Sequence, residues 1–260
     1  MINVVMNGCN GRMGQVISGI VAADDSLNMV AGIDKFDDGH NPYPVYSELN
    51  RLPSGVDVII DFSTASAVDA LLDYCVEKNI PVVLCTTGLS EAQLAKVADT
   101  SKKVPVLKSA NMSLGVNLLI KALKEYAPIL AENGFDIEVL EKHHNQKLDA
   151  PSGTAIALAD AINSAFDESD RYEYVYDRST RREKRRAKEI GISAVRGGTI
   201  VGDHDVIFAG QDEVVTFSHM AYSRALFGRG AVSAAKFLAG KQPGLYDMSN
   251  VIDELLAKQK

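Results

Sequence analysis

A short apolar strand that runs straight into evenly spaced glycines and then into a helix leaves a chain few folds to choose from. Residues 2–6 are apolar apart from Asn3, residues 7–14 read Asn-Gly-Cys-Asn-Gly-Arg-Met-Gly, and Met13, Val16, Ile17 and Ile20 recur at helical spacing. The spacing G-x-x-G-x-x-G is a variant of the dinucleotide-binding turn. Gly8 serves the tight turn, Gly11 lets the backbone approach a pyrophosphate, and Gly14 permits close packing of helix on strand. Gly8, Cys9, Asn10, Gly11, Arg12 and Met13 are therefore candidate cofactor contacts. Glycines in such a turn can also serve structure alone. The second strand, 29–33, ends in Asp34, about 20 residues beyond the glycines, where an acid accepts hydrogen bonds from the adenosine ribose, and that register favours cofactor contact. Asp34 would repel a 2′-phosphate while Lys35 and Arg12 would attract one, so NADH, NADPH or both remain open.

The alternation then continues. Strands are expected at 56–62, 82–85 and 104–107, with a helix at 66–78 and another opened by Ser90 with Gln93 as a capping box. This order predicts an α/β unit: a parallel, Rossmann-like sheet with helices on both faces and ligands beyond the carboxyl ends of its strands. Three turns fall at those ends: 61–64, 85–88 with Cys85, Thr86 and Thr87, and 109–113 with Ser109, Ala110, Asn111 and Met112. Their small and polar side chains could approach a nicotinamide and its ribose, or could be simple loop chemistry.

A second centre of chemistry lies at 135–165. Phe135, Ile137 and Val139 fall on one side of an extended chain and Asp136 and Glu138 on the other, so a half-buried strand ending near Glu141 is expected. Ala155, Ala159, Ile162 and Phe166 form a helical stripe, with Ser152 as N-cap. Between them lie His143, His144, Lys147, Asp149, Pro151, Ser152, Gly153 and Thr154. A loop feeding a helix N-terminus presents unpaired N–H groups, so Ser152, Gly153 and Thr154 offer a seat for a carboxylate or phosphate. His143 or His144 can exchange protons near neutral pH, and Lys147 can supply charge or a proton. Adjacent histidines on an extended chain point to opposite faces, and no Cys or further His stands nearby at a ligand spacing, so no metal is expected.

The remainder organises around these two centres. A helix is expected over 113–130, with Leu114, Leu118, the stem of Lys121 and Ala122 on one side, leading into a second, α+β unit. The densely basic run 177–189, including Arg181, Arg182, Lys184, Arg185 and Arg186, reads as a solvated loop. Strands at 190–195, 199–201, 205–209 and 213–219 complete a mixed or antiparallel sheet, in which His204 and His219 read as structural. A helix is expected over 223–238, and Ser249 or Asn250 caps a last one. The expected division is a dinucleotide-binding domain at 1–112 and a substrate-binding and oligomerisation domain at 113–222, with helices of 223–260 packing back on the first.

With 260 residues, 46% hydrophobic, the chain can bury a sizeable core. No apolar run reaches membrane-spanning length, and no signal-peptide pattern precedes the first strand, so the cytoplasm is expected. Cys9, Cys75 and Cys85 are odd in number and show no C-x-x-C spacing, which fits reduced thiols. The net charge of -7 argues against nucleic acid as main partner.

The stretch from Glu138 to Ala155 resembles the signature of the dihydrodipicolinate reductase family, also called 4-hydroxy-tetrahydrodipicolinate reductases, roughly E-x-x-E-x-H-H-x-x-K-x-D-A-P-S-G-T-A. Glu138, Glu141, His143, His144 and Lys147 match it, as does the run from Asp149, and the similarity extends over most of the chain. The three cofactor-side turns also resemble that family, except that Cys85 stands where its G-T-T-G has the first glycine. The resemblance implies NAD(P)H-dependent reduction of 4-hydroxy-tetrahydrodipicolinate to tetrahydrodipicolinate in lysine and diaminopimelate biosynthesis, by a homotetramer. It implies His143 and Lys147 as the acid and base groups, with the proton donor open between them, and His144, Ser152, Gly153 and Thr154 as substrate contacts. The alternatives are a dehydrogenase of another small amino or keto acid, a nucleotide-sensing module, or a nucleic-acid binder using 177–189. The intact His, Lys and Ser-Gly-Thr cluster argues against the last two.

Overall fold

The computed structural model describes residues 1–176 and 178–258. Asp177, where the basic run starts, and residues 259–260, included in the stretch expected to pack back on the first domain, lie outside the described residues. In chain order the elements begin β1 Ile2–Asn7, α1 Arg12–Ala22, β2 Leu27–Ile33, β3 Val45–Tyr46, β4 Val58–Asp61, α2 Ala65–Lys78, β5 Val82–Leu84, α3 Glu91–Ser101 and β6 Pro105–Lys108. They continue α4 Leu114–Glu132, β7 Asp136–His143, α5 Gly153–Asn163, β8 Glu173–Val175, β9 Glu189–Arg196, β10 Gly202–Ala209 and β11 Val214–Ala221. The chain closes with α6 Ala225–Leu238, β12 Gly244–Tyr246 and α7 Met248–Ala257. Two compact units result: Met1–Leu114 with the segment from Ala225 onward, and Gly115–Arg224. Among the described residues no helix is long and apolar enough to cross a membrane.

The first unit is a seven-stranded sheet in the order β12-β6-β5-β4-β1-β2-β3, every pair parallel. Parallel sheets are covered on both faces, and the period-two chain divides its apolar residues between them. Val4 and Met6 of β1 join Ile17 and Val21 of α1, Ala231, Ala234 and Leu238 of α6, and Met248 of α7 on one face. Val5, beside them in the chain, joins Ile59, Val82, Leu71, Leu72 and Val97 on the other. The strand order reverses at β1, which pairs with β2 on one side and β4 on the other, so connections leave the two strand ends in opposite directions and open a crevice there.

The second unit is a five-stranded mixed sheet, β11-β10-β7-β9-β8, with β7 parallel to β9 and antiparallel to β10. Ile137, Val139, Ile190, Ile192, Val206 and Phe208 face Leu119, Leu123 and Ala127 of α4 and Ala155, Leu158, Ala159 and Ile162 of α5. Every second residue of β7 is buried, and the buried set is Ile137, Val139, Glu141 and His143. An apolar strand face therefore ends in a carboxylate and an imidazole.

Several expectations fail for stated reasons. The buried stripe of α4 is Val116, Leu119, Leu123 and Ala127, and Leu118 is 49% exposed. Residues 199–201 form no strand, and β10 begins only at Gly202. The basic run is not simply solvated: Arg178 bonds Glu189 Oε2 (2.6 Å) and Glu138 Oε1 (3.0 Å), and Arg185 bonds Asp136 Oδ1 (2.6 Å) and Glu138 Oε1 (3.2 Å). Arg182, Lys184 and Arg186 stay exposed. Asp247, rather than Ser249 or Asn250, caps α7, because both of those residues donate their N–H to its carboxylate. The Ser90–Gln93 capping box forms at α3.

Candidate active site

In the first unit a cleft of about 480 Å³ opens at the reversal point. Its lining is Asn7, Gly8, Asn10, Gly11, Ile33, Asp34, Lys35, Ser47, Phe62, Ser63, Thr64 and Ala67. Gly8 has φ +85°, and a Cβ there would lie 2.7 Å from Phe62 O, so only glycine lets the β1 turn pass the end of β4. A Cβ on Gly14 would lie 2.3 Å from Gly8 O, which explains the third glycine as a helix-packing residue. Gly11 begins α1 without a capping side chain, leaving first-turn N–H groups to an anion. Asp34 Oδ2 accepts the N–H of Asn10 (2.9 Å) and Oδ1 that of Lys35 (2.8 Å), which aims the carboxylate at the cleft.

The two strand ends are stapled by Asp61, which is fully buried. Its carboxylate accepts from Asn7 Nδ2 (2.7 Å), Ser63 Oγ (2.6 Å) and Thr86 Oγ1 (2.6 Å). Burial pushes the Asp61 carboxyl above its ordinary range, against the pull of the Ser63, Thr86 and Asn7 hydrogen bonds. The hydroxyl of Thr86 is thus spent inside the protein.

Of the residues expected at a cofactor, the cleft collects Gly8, Asn10, Gly11, Asp34 and Lys35, while Arg12, Met13, Cys85, Thr86, Thr87, Ser109, Ala110, Asn111 and Met112 lie outside its lining. The Cys9 side chain is buried in the core, with its thiol pushed up to about 11 by burial and by Asp34, so only its main chain faces the turn. Met112 is likewise a core residue, and burial raises the Cys85 thiol well above its usual range. Asn111 Oδ1 accepts the N–H of Ser113 (2.8 Å). Asn7, Ser47 and Ala67 were not foreseen. Asn7 carried a signal, a polar residue closing an apolar strand, whereas Ser47 follows a two-residue strand with none.

In the second unit the signature residues gather around Glu141, whose carboxylate is 0% exposed. Arg196 bonds both its oxygens, NH1 to Oε2 and NH2 to Oε1, each at 2.7 Å. His143 Nδ1 lies 2.6 Å from Oε2, and the N–H of Ser152 donates to Oε1 (3.0 Å). Burial alone would raise the Glu141 carboxyl, but the bonds from Arg196, His143 and Ser152 outweigh it and hold it below its ordinary value. Ser152 caps α5 as expected, its Oγ accepting the N–H of Ala155 (3.1 Å). The same Oγ lies 3.0 Å from His204 Nε2. His204 stands edge-on to His143, ring centroids 5.1 Å apart, and burial with the neighbouring His143 pushes its pKa down to about 4. The sequence reading of His204 as structural did not foresee its position beside the signature residues, and it did not single out Arg196.

Lys147 Nζ holds the Asp149 carboxylate at 2.9 Å, and that carboxyl is pulled below its usual range first by Lys147 and further by the N–H of Gly153. Arg196 NH2 also donates to Asp149 O (2.6 Å), tying the loop to β9. Lys147 and the start of α5 therefore already grip a carboxylate, the chain's own. Thr154 follows in the first turn of α5, and Gly153 is exposed with nothing within 4 Å of where a Cβ would stand. His144 follows the end of β7, and its buried Nδ1 has no hydrogen-bond partner among the described residues. Among those residues no group of three or more His, Cys, Asp or Glu side chains could hold a metal ion.

Residues 2–112 match the family described as Dihydrodipicolinate reductase, N-terminus, and residues 115–252 the one described as Dihydrodipicolinate reductase, C-terminus. The 4-hydroxy-tetrahydrodipicolinate reductase of Caldanaerobacter subterraneus subsp. tengcongensis is 52% identical over 252 residues, covering 97% of this chain and 98% of its own. That of Clostridium novyi is 48% identical over 253 residues, with 97% and 98% covered. A dipicolinate-bound dihydrodipicolinate reductase from Paenisporosarcina sp. TG-14 superposes with a TM-score of 0.79 at 27% identity, covering 96% of this chain and 99% of that one. C. glutamicum DAP dehydrogenase shares the fold alone, with a TM-score of 0.57 at 11% identity. Matched in both halves, and close to half identical to relatives along nearly their whole length, the chain belongs to the dihydrodipicolinate (4-hydroxy-tetrahydrodipicolinate) reductase family.

Proposed function

We propose that this chain reduces 4-hydroxy-tetrahydrodipicolinate to tetrahydrodipicolinate with NADH or NADPH, the step its relatives' name implies in lysine and diaminopimelate biosynthesis. The observation that supports the reading is the pairing of Lys147 with the Asp149 carboxylate at 2.9 Å beside the start of α5, the same kind of group the substrate carries twice. Ser152, Gly153, Thr154 and His144 complete the seat for the dicarboxylate ring, which is held in one orientation. The first unit's cleft fits a dinucleotide: Gly8 and Gly11 admit its pyrophosphate, and Asp34 takes ribose hydroxyls. Exposed Lys35 beside Asp34 supplies the charge a 2′-phosphate requires, which supports use of both coenzymes. Arg12, Met13 and the turns carrying Thr87, Ser109 and Ala110 are assigned to the remainder of the cofactor. Cys9, Cys85, Asn111 and Met112 contribute main chain, and Thr86 acts through Asp61.

When bound, the dinucleotide supplies a hydride. Overall, the 4-hydroxyl and a neighbouring ring hydrogen leave as water, and one hydride and one proton are added to the conjugated imine that results. Electron density that builds on the conjugated imine is met by a proton from His143 or Lys147. Lys147 also balances substrate charge. We assign the enzyme to the cytoplasm as a homotetramer. The test is consumption of NADH and NADPH with freshly generated 4-hydroxy-tetrahydrodipicolinate. Turnover with this acid, absent with other small amino and keto acids, is the expected result, and binding of cofactor without turnover of any acceptor would overturn the reading. His143→Ala or Lys147→Ala should lower turnover far more than cofactor binding, and equal loss of both counts against the assignment.

A further inference from the structure

A buried carboxylate costs several kcal/mol unless its lone pairs are met, and those of Glu141 are met four times. The bidentate Arg196 keeps it ionised, and an ionised carboxylate only accepts. Whatever faces Oε2 must therefore donate. His143 Nδ1, at 2.6 Å, carries a hydrogen whether the ring is neutral or charged, and Nε2 is left as the nitrogen that gains and loses a proton. Nε2 lies over Gly202, where a Cβ would come 2.9 Å from it, so the absence of a side chain on β10 leaves room beside that nitrogen. A carboxylate that holds a general acid–base histidine in one tautomer, without itself taking the proton, is the logic of hydrolytic triads.

We propose that Glu141, clamped by Arg196, is a positioning residue for the reduction: it fixes His143 in the Nδ1–H tautomer and so makes Nε2 the proton-exchanging atom. The proposal rests on the reading of the signature loop as the reductase site. It also separates Glu141 from a merely structural role, because holding the start of α5 through Ser152 N–H needs only Oε1, while Oε2 is given to His143 and Arg196.

The test is Glu141→Gln, examined by nitrogen NMR of histidine-labelled protein, with His143→Asn to assign the resonance, and by steady-state kinetics. With the amide oxygen retained by Ser152 N–H and Arg196, the amide NH₂ faces His143 Nδ1 and favours the Nε2–H form. The expected result is Nδ1–H in the wild type and Nε2–H in the variant. Turnover should fall about 10²-fold or more while KM changes less than about threefold. Glu141→Asp, which restores an acceptor, should recover the tautomer and most of the turnover. If E141Q does not fold, the double variant E141Q/R196M, which removes the guanidinium N–H that would face the amide NH₂, carries the same readouts. Retention of Nδ1–H in either glutamine variant, or turnover within about twofold of wild type, overturns the proposal. The NMR readout needs no turnover. A tautomer that switches between wild type and E141Q, in a wild type with no reductase activity, refutes the reaction while upholding the pairing.

Discussion

Gly8→Ala and Gly55→Ala make a matched pair that isolates what the glycine turn does. Both glycines have a left-handed φ, +85° and +82°, so each alanine carries the same backbone penalty, about 1 kcal/mol. They differ in surroundings: nothing lies within 4 Å of a Cβ at Gly55, whereas at Gly8 it would lie 2.7 Å from Phe62 O and 3.0 Å from Phe62 C. Those are backbone atoms at the end of a buried strand and cannot rotate away, so overpacking adds roughly 2 kcal/mol to Gly8→Ala, about 3 in total. Relief of the clash must push residues 62–64, which line the cleft, away from the β1 turn. Urea denaturation and titration of NADH fluorescence measure the two consequences. The expected outcome is a stability gap of about 2 kcal/mol between the variants, with NADH affinity lowered about tenfold or more in Gly8→Ala alone. Equal stability of the two, or wild-type NADH affinity in Gly8→Ala, would refute the reasoning.

Gly202→Ala places a methyl within 2.9 Å of His143 Nε2 and should cut turnover about tenfold or more with cofactor affinity unchanged, checked by kinetics and NADH titration. His204 is held near pKa 4, below its ordinary 6.5, so the unfolded chain binds the extra proton: the stability it contributes is complete above about pH 6.5 and declines toward pH 4. His219 is shifted the same way by burial. Unfolding free energy followed from pH 7 to about pH 5 should fall by about 1.4 kcal/mol per pH unit at most for His204, and His204→Gln should flatten that slope. Arg185→Leu leaves Asp136 and Glu138 without one of their partners and should cost about 1–3 kcal/mol in urea denaturation, with faster proteolysis near residues 178–188. Lys35→Ala should weaken NADPH more than NADH, seen as a change in the ratio of their KM values.

Local chemistry was legible in the sequence. The apolar 2–6 run with glycines at 8, 11 and 14 gave β1, its turn and α1. The Ser90–Gln93 box and the Ser152 cap form because each needs only partners within three residues. The signature loop placed His143, Lys147 and the start of α5. What escaped was non-local. Arg196 meets Glu141 from 55 positions away, through the parallel register of β7 with β9, and His204 comes alongside through the antiparallel register with β10. The basic run looked solvated because the partners of Arg185, Asp136 and Glu138, lie 49 and 47 positions earlier. β12 is three residues long and exists only by pairing with β6. At α7 the sequence suggested Ser249 or Asn250, and the cap is Asp247, whose carboxylate accepts the N–H of both.

The central claim, hydride delivery to a dicarboxylate ring seated by the signature loop, is tested most directly by isotope transfer. NADH carrying deuterium at its hydride position is incubated with the enzyme and 4-hydroxy-tetrahydrodipicolinate in ordinary water, and the product is read by mass spectrometry. One deuterium on a ring carbon of tetrahydrodipicolinate is the predicted result, while product without the label, or label lost to solvent, would contradict the account.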